Sequence, residues 1–182
     1  MAAGDGLVSM KPTSIAAGVG TASINADGGV DFTTANPLSL NGVFTSEIDN
    51  YLVVMRMNSD AGGIGIKLRL RASGTDNSTA SSYTTQRLFG NGSPPAGSRN
   101  TSDLVNNVAA TYDTQRAGFH LYLYGPFLAQ PTAGRSVTAM DLSSASIGDG
   151  AFTHNQSTAY DGLSFIADDI FSGNVHVFGY EE

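Results

Sequence analysis

Ile64-Gly65-Ile66-Lys67-Leu68-Arg69-Leu70-Arg71 decides the fold of this chain. Four aliphatic residues alternate with Gly65, Lys67, Arg69 and Arg71, and a period of two is the repeat of a β-strand with one face in a core. Helical spacing would scatter the same residues around a cylinder. The strand therefore turns Ile64, Ile66, Leu68 and Leu70 inward and sets Lys67, Arg69 and Arg71 out as a basic face. Arginine forks suit a contact with carboxylates, while the plainer reading is a solvated strand face.

Working outward, Tyr51 to Met57 is apolar at nearly every position except Arg56, as in a strand covered on both faces. Ser59-Asp60-Ala61-Gly62-Gly63 reads as the hairpin loop joining it to Ile64. Upstream, Thr21–Asn25 and Val30–Thr33 flank Ala26-Asp27-Gly28-Gly29, and Asp-Gly supplies the positive backbone angles of a tight hairpin turn. Leu38–Leu40 ends at Asn41-Gly42, with Val43-Phe44 beyond. Downstream, Tyr83–Phe89, Val137–Leu142 and Leu163–Ala167 read as strands, and Asp103–Val108 suits one or two helical turns as well as a strand.

Two further strands carry an unusual second face. Phe119, Leu121 and Leu123 alternate with His120, Tyr122 and Tyr124, and Val175 and Val177 alternate with His176, Phe178 and Tyr180. Aromatics with a polar end are favoured at interfaces, because they bury area and still pair their polar atoms. These six residues are the interface candidates, and they lead us to expect a symmetric homotrimer or another closed ring.

About ten short strands with almost no helix indicate an all-β fold, an antiparallel β-sandwich that is jelly-roll-like. The expected organisation is an N-terminal arm over residues 1–20, serving as a docking segment, and one β-sandwich domain over 21–182. The arm's Ala16-Ala17-Gly18-Val19-Gly20 has little apolar bulk with which to hold itself in place.

Composition excludes several functions. Of the 182 residues, 9 are Lys or Arg and 16 Asp or Glu, and the net charge of -7 opposes binding to phosphate backbones and anionic membranes. Nucleic acid is thus not expected, and because no apolar run approaches the roughly 20 residues that span a bilayer, neither is membrane insertion. With no Cys, thiolate metal sites and Cys nucleophiles are excluded. Neither a Gly-x-Ser-x-Gly elbow nor a phosphate-binding glycine fingerprint is present, and His120, His154 and His176 lack metal-ligand spacing. Asp161, Asp168 and Asp169 could supply a glycosidase pair, but they read as turn and loop residues. The sequence thus assigns no catalytic residue, metal ligand or cofactor.

Five segments together resemble a family of small bacteriophage virion proteins, in particular the C-terminal β domains of siphophage minor tail proteins. They are Ile48-Asp49-Asn50-Tyr51-Leu52, then Leu68 through Asn77, then Leu123-Tyr124-Gly125-Pro126-Phe127 with Pro131-Thr132, then Tyr160-Asp161-Gly162, and finally Phe171-Ser172-Gly173 with Val177-Phe178-Gly179-Tyr180. The resemblance implies a non-enzymatic structural module of the virion exterior, synthesised in the host cytoplasm. It would be tail-associated, at the tail tip or in a fibre, and contribute to host-surface adsorption. Its implied partners are other virion proteins of tail or capsid, with a host-surface glycan as a candidate. A capsid decoration or cement protein is the alternative, and a virion-associated carbohydrate hydrolase a further one.

Overall fold

In the computed structural model, which describes residues 6–60, 62–90, 94–111, 114, 116–140 and 146–180, the decisive alternation forms an inner strand of the smaller of two antiparallel sheets. In chain order the strands are β1 (Leu7–Ser9), β2 (Ser14–Ala17), β3 (Thr21–Ile24), β4 (Val30–Ala35), β5 (Leu38–Asn41), β6 (Asn50–Ser59), β7 (Ile64–Ala72) and β8 (Thr75–Asp76). There follow β9 (Tyr83–Gly90), β10 (Ala96–Ser102), β11 (Val105–Thr111), β12 (Ala117–Tyr124), β13 (Thr132–Ala139), β14 (Ile147–His154), β15 (Gly162–Ala167) and β16 (Phe171–Tyr180). No helix occurs among the described residues.

The small sheet runs β11-β7-β15-β5-β2, with β8 on β7. The large sheet runs β10-β9-β14-β13-β12-β6-β16-β4-β3, with β1 on β16. The chain is an antiparallel β-sandwich, and it changes sheet at every connection except β3–β4, β7–β8, β9–β10, β12–β13 and β13–β14. Ile64, Ile66, Leu68 and Leu70 meet Leu163 and Phe165 of β15 and Leu38 and Leu40 of β5 on the inner face of the small sheet, all of them buried. Opposite stand Tyr51, Val53, Met55 and Met57 of β6, Phe119, Leu121 and Leu123 of β12, and Val175 and Val177 of β16. Phe119 and Phe165 bridge the sheets edge to face, with centroids 6.0 Å apart.

The loop after Ser59 is not a hairpin. β6 pairs with β12 and β16, whereas β7 pairs with β11 and β15, so the connection from β6 to β7 leads from the large sheet to the small one. Val43 and Phe44 extend no strand, because their amides donate to the carbonyl of Asp161. The strand expected at Val137–Leu142 runs over Thr132–Ala139, and Leu142 lies outside the described residues. Asp103–Val108 resolves as the start of β11.

Of the expected docking arm, residues 1–5 lie outside the described residues. The rest is stitched into both sheets of its own chain: Leu7–Ser9 faces Phe178–Tyr180, and Ser14–Ala17 faces Leu38–Asn41. Backbone ladders hold this segment where its small side chains could not.

Candidate functional site

Cross-strand register decides which side chains share a face, because directly opposed residues point the same way. On the large sheet His120 stands opposite Val54, and Val54 opposite His176. In the next row Tyr122 faces Leu52, and Leu52 faces Phe178. Tyr124 and Tyr180 follow at the end of the same two strands. All six aromatic candidates therefore share the outer face of the large sheet, three on each side of β6. Leu52, although on this outward side, is buried beside Tyr122 and Phe178.

His176 stacks on Phe178 with centroids 5.7 Å apart and planes inclined by 12°. The β3–β4 turn leans on this pair. A Cβ built on Gly29 would sit 2.1 Å from His176 Nε2, so only glycine lets that backbone approach the ring. His120 and His176 are separated by β6, and among the described residues no group of three or more His, Asp or Glu is placed to hold a metal ion. The third histidine, His154, is buried elsewhere in the fold.

The apolar surface extends beyond these candidates. Continuing the first row past His120 leads to Val137, then Asp149, then Leu88, and Ile147 lies one row below on β14. Among the described residues, the large hydrophobic side chains open to solvent include Leu7, Leu88, Tyr124, Val137, Ile147 and Tyr180, all on this face. Monomeric surfaces rarely gather apolar groups in this way. Arg135 crosses the middle of the face and clasps Asp149 with two bonds, Nε to Oδ1 at 3.1 Å and Nη2 to Oδ2 at 2.5 Å. That clasp raises the pKa of Arg135 and lowers that of Asp149, each favouring the charged form.

The basic stripe lies on the opposite side of the molecule, where each cation meets a carboxylate of its own chain. Lys67 bonds Asp168, Arg69 bonds Asp103, and Arg71 bonds Asp76. Arg71 also donates to Ser164 Oγ at 2.8 Å and to Asn41 Oδ1 at 2.9 Å. Bonds from Lys67 and from Gly65 N hold the carboxyl of Asp168 below the ordinary carboxylate range. Bonds from Ser102 and Arg69 do the same for Asp103. Because Arg71 closes a half-buried polar cluster, Arg71→Met is expected to lower stability by about 1.5–3 kcal/mol in urea denaturation, the range for hydrogen bonds to charged groups.

The carboxylates considered for glycoside hydrolysis do not converge. Asp161 precedes β15 and Asp168 follows it, so the six-residue strand holds them roughly 20 Å apart, against the 5–9.5 Å of working pairs. Asp168 and Asp169 are adjacent, but the first is engaged by Lys67 and the second accepts a bond from the Ile170 amide at 2.7 Å.

Sequence reading found the aromatic strands but missed Leu88, Val137 and Ile147. Val137 and Ile147 are single hydrophobic residues among small or polar neighbours, Leu88 stands beside Phe89 on a strand with no apolar alternation, and only register brings the three together.

Fold and face together define an antiparallel β-sandwich with one charge-paired and one apolar outer surface. No family model matches the chain, and no curated protein matches it. Among solved structures it is similar to the CBM2 module of the evolved Dit of Lactobacillus casei BL23 phage J-1, at 11% identity over 98% of this chain and 96% of that one, with a TM-score of 0.33. The galectin LEC-6 of Caenorhabditis elegans is similar at 7% identity over 85% and 99% of the two chains, with a TM-score of 0.41. So is the enzymatically active domain of tailspike protein 2 of bacteriophage CBA120, at 8% identity over 98% of this chain and 30% of that one, with a TM-score of 0.41.

Proposed function

We propose that this chain is a non-enzymatic structural module of a bacteriophage virion, associated with the tail and contributing to adsorption at the host surface. The observation that carries the reading is the outer face of the large sheet. Its aromatic half sets His120, Tyr122, Tyr124, His176, Phe178 and Tyr180 side by side, although the inner faces of the same strands already supply the core. Aromatic area of this kind on a folded domain serves attachment to another surface. The five segments that resemble small virion proteins supply the setting: Asn50 to Leu52, Leu123-Tyr124 and Val177 to Tyr180 are themselves parts of β6, β12 and β16.

In this reading the aromatic half joins the module to neighbouring virion proteins. A cryo-EM map of the particle is the test, and density matching the two sheets is expected on the tail. The same density on the capsid shell would assign the decoration role instead, and its absence from the particle would end the virion reading. Tyr122→Ala should weaken incorporation by about tenfold or more, the effect of losing roughly 1.4 kcal/mol or more at a packed contact.

A further inference from the structure

We infer that a second copy of this chain packs on the aliphatic half of the large sheet's outer face, about Val137 and Ile147. The half is built of open side chains on consecutive strands: Val137 on β13 is 45% exposed, Ile147 on β14 66% and Leu88 on β9 59%. Two hollows of about 380 Å³ each flank Val137. One lies over Gly118 and Ala139, where small residues leave the sheet bare, and is walled by Val54 and His120. The other lies between Leu88, Pro95 and Ile147. A ridge beside hollows lined mainly by apolar atoms is self-complementary: under a two-fold rotation, the Val137 or Ile147 of one molecule meets a hollow of the other.

Charge selects a second copy over a charged partner. The chain carries -7 overall, yet the strands of this face turn outward only Arg56, Arg99 and Arg135 against Asp31 and Asp149. Near the ridge, Arg135 and Asp149 neutralise each other. Two acidic molecules therefore repel least when these faces meet, whereas a strongly cationic partner would be drawn to surfaces elsewhere. Such a contact is isologous and makes a dimer, unlike the trimer expected from the sequence. It does not depend on the virion reading, since purified chain alone should show it.

Sedimentation equilibrium of the purified chain at tens of micromolar is expected to give twice the 18.8 kDa of one copy. Ile147→Asp and Val137→Lys should each weaken the dimer by about 30-fold or more, as at an interface hot spot, with unchanged far-UV circular dichroism and melting temperature. Tyr124→Ser, in the aromatic half, should leave the dimer intact. A monomeric or trimeric wild type would overturn the inference. A dimer that survives Ile147→Asp and Val137→Lys, or one that dissociates with Tyr124→Ser alone, would do the same.

Discussion

Phe165→Ala is expected to lower the unfolding free energy by about 3–5 kcal/mol, the cost of deleting a fully buried aromatic ring and leaving a cavity behind. Phe165 has no solvent exposure and sits on β15, paired with Leu68 on one side and Leu38 on the other. From there its ring crosses the sandwich to meet Phe119 at 6.0 Å and 70°. The site cannot collapse cheaply, because both sheets are held at their spacing by backbone ladders. Whole-domain stabilities run to about 5–15 kcal/mol, so this one change would remove a large share. For a chain of this length the melting temperature should fall by roughly 6–20 °C. A loss below about 1 kcal/mol would mean that the two sheets do not close on each other at this point.

The alternation at Ile64–Leu70 was legible because a strand with one buried face writes its geometry into every second residue, and the structure buries all four aliphatics. What the loop after it joins was not legible. A five-residue loop rich in glycine serves a hairpin or a corner equally well, and only the partners of β6 and β7, far away in sequence, decide between them. β10 left no pattern either: it lies at the rim of the large sheet and is exposed along nearly its whole length, so no apolar alternation was required of Ala96–Ser102. The aromatic half of the outer face was readable strand by strand, as His120, Tyr122 and Tyr124 and again as His176, Phe178 and Tyr180. That β6 lies between the two sets, and that Leu88, Val137 and Ile147 extend the face, follows only from register. Charge pairing was the least visible feature, since the carboxylates that meet Lys67 and Arg69 come from Asp168 and Asp103, in other segments of the chain.

His154→Leu is expected to cost about 1.5–4.5 kcal/mol and to remove one limb of the protein's pH dependence. His154 lies at the end of β14 with no solvent exposure, stacked on Tyr83 at 4.0 Å. Its Nδ1 is 3.2 Å from the carbonyl of Ser82, which can only accept, so Nδ1 carries the proton. The neutral ring then accepts at Nε2 from the Tyr160 hydroxyl at 2.6 Å, and that oxygen in turn accepts from Asn77 Nδ2 at 2.8 Å. Leucine fills the volume but takes from the Tyr160 hydroxyl its acceptor, a loss of about 1–3 kcal/mol when buried, and from the Ser82 carbonyl one bond of about 0.5–1.5 kcal/mol, leaving it that of the Asn155 amide at 3.0 Å. Burial pushes the pKa of His154 below its ordinary value of 6.5, since the charged ring would lose its hydration. The unfolded chain therefore binds this proton at a higher pH than the folded one. Stability is fully present above pH 6.5 and falls as the pH drops from there toward the lowered folded value. Asp31, Asp103, Asp149 and Asp168 are held below 3.8 by their bonds, so their contributions fade only at more acidic pH, as the medium approaches and passes below that value. Urea midpoints measured from pH 7.5 to 3 should show two separate losses in the wild type, and in His154→Leu the upper one should be missing. An upper limb that persists in the variant would place that proton on another group and leave His154 as a packing residue only.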